Sequence, residues 1–181
     1  MLIPPLFNAQ IREQLELRAL TEQDVGENYV RWLNDDNIIK YTEIRHQSQD
    51  AVSIKRFVAD KNQSLNEWLA GIFFDGKHIG NIKIGPLNQH HRTADISFFI
   101  GEQNYWQKGI ACASIKLMCE YGFTSLKLEK ITAGCYEPNV GSERALLSAG
   151  FVKEATLQSA VIYDGRRVNS YLFGLLKKKF V

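Results

Sequence analysis

Nothing accumulates in this chain of 181 residues. Its three cysteines, Cys112, Cys119 and Cys135, are odd in number and contain no CxxC pair, which argues against a disulfide framework and against a zinc site. They fall in apolar runs, with Cys112 and Cys119 on one face of any helix that holds them, so they read as core residues in a reducing compartment. Charge of neither sign dominates: 22 basic residues against 20 acidic leave +2, too little to make nucleic acid or a membrane surface the main partner. The run Lys177 to Lys179 reads as a solvated tail rather than a nucleic-acid patch. No apolar run approaches the roughly 20 residues of a membrane span, and no N-terminal stretch has a signal peptide's apolar core, so the expected location is the cytoplasm. Two phosphate-binding loops are also missing, since there is neither GxGxxG nor GxxxxGK followed by Ser or Thr.

What is present is a 45% hydrophobic composition, enough for a real core, and no linker, repeat or low-complexity stretch, so residues 1–181 are expected to form one domain. "LELRAL" alternates as a strand and Thr21 then caps a helix running toward Leu33. "SQDAVSIKRFVAD" spaces Val52, Ile54, Phe57 and Val58 as a second amphipathic helix, with Ser48 as its cap. "EWLAGIFF" and "HIGNIKIG" flank Asp75-Gly76, a strong hairpin signal. "TADISFFI", Thr93 to Ile100, continues the sheet and puts Asp95, Ser97 and Phe99 on one face. A helix spans most of Trp106 to Phe123. "KITAGCY" is a strand, "NVGSERALLSAG" a short helix between Asn139 and Gly150, and two last strands surround a second Asp-Gly turn. The order β-α-α-β-β-β-α-β-α-β-β predicts an α+β fold, a mostly antiparallel seven-stranded sheet flanked by about four helices.

The segment "WQKGIA" admits two readings on its own. It is an ordinary helix start, or it is a loop whose free amides, Gln107 to Ala111, bind a pyrophosphate at the positive end of the helix dipole, with Gly109 allowing close approach and Lys108 adding charge.

Its neighbours separate the two. The strand "TADISFFI", the loop "WQKGIA" and the helix "CASIKLMCEYGF" resemble motif A of the GNAT superfamily of acetyl-CoA-dependent N-acetyltransferases, Gln/Arg-x-x-Gly-x-Gly/Ala. Gly109 and Ala111 match its last two fixed positions and Trp106 takes the first. "YEPNVGSERALLSAGF" resembles motif B of the subgroup similar to the ribosomal-protein N-terminal acetyltransferases. The element order matches from Leu15 to about Lys177.

The resemblance implies acetyl-CoA as co-substrate, with its pyrophosphate on the amides of Gln107, Lys108, Gly109, Ile110 and Ala111. It also implies a strand that splays from its parallel neighbour at a bulge, where pantetheine pairs with backbone around Phe98, Phe99 and Ile100. Asn139 and Ser142 then contact the cofactor, a role compatible with Asn139 as an N-cap. It implies an acceptor side lined by residues 22–62, where Arg31, Tyr41, Glu43 and Arg45 are specificity candidates, and it puts His90 and His91 on a loop at the groove mouth. No carboxylate or cysteine cluster surrounds the histidines at ligand spacing, so no metal is expected.

Attack of a primary amine on a thioester requires a proton acceptor. Asp95 is the first candidate, as base or amine anchor, against a hydrogen-bonded structural Asp; Glu137 is the second, against a solvated turn residue. The Tyr that many family members carry seven residues after the motif B Asn is Leu146 here, so thiolate protonation falls to Tyr136, Tyr105 or water. The acceptor expected from the subgroup is a protein N-terminal α-amine. A small amine (amino sugar, polyamine or antibiotic) or a non-catalytic acyl-CoA-binding domain are the alternatives, and strand edges near the C-terminus leave room for a homodimer.

Overall fold

The structure, a computed structural model, describes residue 11 and residues 13–180. The strands are β1 (Leu15–Ala19), β2 (Trp68–Phe74), β3 (Lys77–Asn88), β4 (Thr93–Ile100), β5 (Lys130–Tyr136), β6 (Val152–Tyr163) and β7 (Arg166–Leu176). They form one sheet in the order β1-β2-β3-β4-β5-β7-β6, antiparallel throughout except for β4 beside β5. The two Asp-Gly turns hold Asp75, Gly76, Asp164 and Gly165 at positive φ, as tight hairpins require. This is the expected α+β sheet of seven strands.

Among the described residues five α-helices, rather than four, flank it: α1 (Glu27–Trp32), α2 (Asp36–Ile39), α3 (Ala51–Gln63), α4 (Ile110–Thr124) and α5 (Val140–Ser148). The expected first helix from Thr21 is broken. Thr21 caps only a 3-10 turn, Glu22–Asp24, because the Asp24 carboxylate folds back onto the Thr21 N–H at 2.7 Å and pairs with Arg18, also at 2.7 Å. The chain then extends through Gly26 before α1 starts, and Asp35 caps the short α2. The cap of α3 is Asp50, not Ser48: its Oδ1 accepts from the Ser53 N–H at 2.7 Å while the Ser53 hydroxyl accepts from the Asp50 N–H.

Two cores sit on opposite faces of the sheet. On one, Ile110, Ile115, Met118 and Cys119 of α4 pack against Ile82, Ile84, Ile96 and Ile131. On the other, Trp32 of α1 and Ile54 and Val58 of α3 pack on Leu69 and Phe73. The period-2 pattern of β4 follows from this: Ala94, Ile96 and Ile100 are buried toward α4, and Asp95 and Ser97 are exposed on the α3 face.

Candidate active site

The parallel ladder between β4 and β5 is three residues long, Thr93 to Asp95 against Lys130 to Thr132. Beyond Asp95 the strands diverge, while β5 stays paired with β7 as far as Tyr136. The bulge expected at this splay lies on the neighbouring strand, β3. Ile84 pairs with Ile96 and Leu87 with Ala94, so Gly85 and Pro86 together face Asp95. Two residues against one bend β3 and increase the local twist at the level where β4 parts from β5. Gly85 is required there: its φ is +127° and a Cβ would lie 2.6 Å from the Asn66 carbonyl oxygen. The backbone of Phe98, Phe99 and Ile100 therefore lines the β4 side of an open wedge.

At the mouth of the wedge the chain turns into α4. Trp106 Nε1 donates to the Ile100 carbonyl at 2.8 Å, which fixes the turn to the end of β4. Gln107 and Gly109 both adopt positive φ, +60° and +78°, and Gly109 is the N-cap of α4. Side chains close α2, α3 and α5 through Asp35, Asp50 and Asn139. No side chain caps α4 and no acidic residue stands in its first turn, so its leading amides, through Ala111, form the positive end of the helix dipole without a side-chain acceptor. The Lys108 ammonium stands 5.5 Å from the Tyr105 ring centroid. Asn139 is an N-cap, its Oδ1 accepting from the Ser142 N–H at 3.2 Å, and α5 packs beside α4.

Asp95 sits where the wedge closes. Its Oδ1 accepts from the Thr132 hydroxyl at 3.0 Å. The surrounding protein desolvates the carboxyl and raises its pKa, while Thr132 and the charge of Lys83 pull it back. Further along the same face of β5, the Tyr136 hydroxyl donates to Glu43. Arg45 holds this corner together: Nη1 donates to the carbonyls of Lys40 and Thr42 at 3.0 and 3.3 Å, and Nη2 to that of Ile162 at 3.1 Å. Tyr41 packs on Tyr163 with ring centroids 5.0 Å apart. Tyr41, Glu43, Arg45 and Tyr136 are thus brought together, and the β6–β7 hairpin adds Tyr163, which no local motif marks.

Other candidates fall elsewhere. Arg31 pairs with Glu102 at 2.9 Å, and Trp32 Nε1 reaches the same carboxylate at 3.3 Å, so Arg31 ties α1 to the residues after β4. Glu137 points to the opposite face of β5 from Asp95, toward α5, where Tyr171 Oη and Asn169 Nδ2 donate to it at 2.9 and 3.2 Å. The Tyr171 hydroxyl lowers the pKa of Glu137, which makes it a weaker base. Tyr105 packs edge-on to Phe74, its ring centroid 5.7 Å away. His90 and His91 occupy the β3–β4 turn, at the end of β4 that pairs with β5. His78 is packed against Tyr29, Trp32 and Phe73 with its pKa lowered by burial. Among the described residues no group of three His, Cys, Asp or Glu is placed to hold a metal ion.

Comparison with known proteins agrees with this architecture. Over 173 residues the chain is 28% identical to the uncharacterized N-acetyltransferase p20 of Bacillus licheniformis, covering 93% of this chain and 96% of that one. The spermidine N-acetyltransferase of Vibrio cholerae, solved with CoA and spermine, superposes with a TM-score of 0.82 at 24% identity, covering 92% of this chain and 98% of the other. Mycobacterium smegmatis RimJ, solved with CoA-disulfide, gives 0.79 at 19% identity over 91% and 82%. The acetyltransferase (GNAT) domain model matches residues 14–152, which include the wedge, the uncapped α4 and the α5 cap, and the chain accordingly belongs to the GNAT family of acetyltransferases.

Proposed function

We propose that the chain is a single-domain N-acetyltransferase that binds acetyl-CoA in the β4–β5 wedge and transfers the acetyl group to a primary amine. The observation that carries this reading is the meeting of two backbone surfaces: the amides of Gln107 to Ala111 at the uncapped helix, and the β4 edge beyond Asp95 where the ladder stops, running through Phe98 and Phe99 to Ile100, whose carbonyl Trp106 holds. The first suits a pyrophosphate and the second an extended amide-bearing chain such as pantetheine. Asn139 and Ser142, at the start of the neighbouring helix, extend the same site.

The amine nitrogen attacks the thioester carbonyl carbon, a C–N bond forms, and the C–S bond breaks as the intermediate collapses. Asp95 takes the proton that nitrogen loses, directly or through a water, and Tyr136 or water protonates the departing thiolate. A carboxyl raised by partial desolvation is a better base than an ordinary one, which favours Asp95 over Glu137.

We take the acceptor to be a protein N-terminal α-amine, on the strength of the motif B likeness to the ribosomal-protein enzymes. The second reading is a polyamine, favoured by the likeness to the Vibrio spermidine enzyme and by Glu43 beside the Tyr41–Tyr163 pair. Reducing cytoplasm suits the three buried thiols, and the exposed edge of β6 suits a homodimer. A thiol-release assay with acetyl-CoA against N-terminal peptides, polyamines and amino sugars tests the function. Release with peptides supports the first acceptor and release with spermidine the second. No release with any amine, together with a melting temperature unmoved by saturating acetyl-CoA, overturns both, because a ligand at about 100 times its Kd stabilises the folded state by about 2.7 kcal/mol.

A further inference from the structure

We propose that Thr132 is a positioning residue for the transfer reaction: its hydroxyl clamps one oxygen of Asp95 at the last rung of the β4–β5 ladder and so fixes the direction in which the carboxylate meets the acceptor. This rests on the reading of Asp95 as proton acceptor.

Thr132 and Asp95 are register partners and share the α3 face of the sheet. The Thr132 hydroxyl has one proton and two acceptors within reach, Asp95 Oδ1 at 3.0 Å and the Ala94 carbonyl at 3.3 Å. The carboxylate is the nearer and the charged one, so it takes the stronger bond. Among the described residues this is the hydrogen bond that Asp95 receives, and Oδ2 has no protein donor. The other charged groups on this face are engaged elsewhere. From β3, Lys83 lies near enough to act through its charge but places its Nζ 3.2 Å from Glu67 Oε2, and Glu67 is also bonded to Lys61 of α3. From β5, Lys130 pairs with Glu154 of β6 at 2.6 Å. One freely rotating carboxyl on an exposed strand position would otherwise sample several rotamers, and the threonine bond removes that freedom before the acceptor arrives.

The test compares Thr132→Val, which keeps the shape and deletes the donor, with Thr132→Ser, which restores it, in the presence and absence of Asp95→Asn. The expected result is a kcat about three- to tenfold lower in Thr132→Val, the loss of about one hydrogen bond in the transition state. The KM for acetyl-CoA stays unchanged and the acid limb of the rate moves to higher pH, because the donor that favoured the charged form is gone. Serine restores the rate to within about twofold, and in the Asp95→Asn background valine adds no further loss. An unmoved acid limb, or an equal loss in both backgrounds, overturns the proposal. If Asp95→Asn alone keeps the wild-type rate, the reading of Asp95 as the base fails instead. The clamp is then judged by carbon-13 titration of the Asp95 carboxyl: a pKa raised by Thr132→Val upholds it, an unchanged one removes it.

Discussion

At Asp95 the sheet surrounds a carboxyl whose pKa it raises, so the folded chain holds that proton more readily than the unfolded chain does. The sign of the linkage follows: stability falls as pH climbs through the ordinary carboxylate range to the raised value. Asp95→Asn is therefore expected to raise the melting temperature at pH 7 while abolishing most of the activity, with the gain disappearing below about pH 3. A melting curve series against pH checks this, and a variant less stable than wild type at pH 7 contradicts it. Asp24 behaves oppositely, since the Arg18 guanidinium holds its carboxyl well below the usual range; stability from that pair is present above the ordinary pKa and is lost as pH falls below it. The two-residue period of "TADISFFI" put Asp95 on one face with Ser97 and Phe99, because alternation is local, and the resemblance to the acetyltransferase subgroup made it the candidate base. Thr132 was invisible by the same logic. Its partnership depends on the register of a parallel pair whose strands are joined through a whole helix, and no turn fixes that register.

Among the elements, α4 is the one the site depends on most. Gly122 lets it lie close to the sheet: a Cβ there would come 2.9 Å from Cδ1 of both Ile84 and Ile131. Gly122→Ala is expected to cost about 0.5–2 kcal/mol net, overpacking against the two isoleucines being offset by about 1 kcal/mol of helix propensity, read as a lower urea midpoint with unchanged slope. At the other end of the helix Gly109 sits at φ +78°, where alanine is strained by about 1 kcal/mol or more. Gly109→Ala is expected to weaken acetyl-CoA binding more than it lowers the melting temperature, by calorimetric titration. The hairpins, β4, β5 and the start of α5 were all legible, because Asp-Gly turns, strict alternation and an Asn cap are local signals. The region from Thr21 to Asp50 was not. There Asp24 folds back on Thr21 and pairs with Arg18, ending the turn that Thr21 starts, and Asp50, two residues after Ser48, takes the cap of α3 through its box with Ser53.

For the molecule as a whole, burial makes the three thiols unreactive. Cys119 is fully buried and its pKa is pushed up to about 12, Cys135 to about 11, and Cys112 is raised as well. The native protein is expected to resist alkylation at pH 8 and to label at all three cysteines in denaturant, counted by mass spectrometry. The same inertness lets a free-thiol assay report CoA release without background from the protein. Composition foretold the bland surface and the buried cysteines, but the corner built from Tyr41, Glu43, Arg45, Tyr136 and Tyr163 joins segments more than 90 residues apart and exists only in the folded chain.

The proposed function stands on acetyl-CoA binding in the wedge between β4 and β5 and at the uncapped start of α4. Backbone amide shifts recorded during an acetyl-CoA titration test it most directly. The largest changes are expected at Phe98 to Ile100, Gln107 to Ala111 and Asn139 to Ser142, saturating together with one dissociation constant. Saturable changes confined to other parts of the sheet, or none at all, would contradict it.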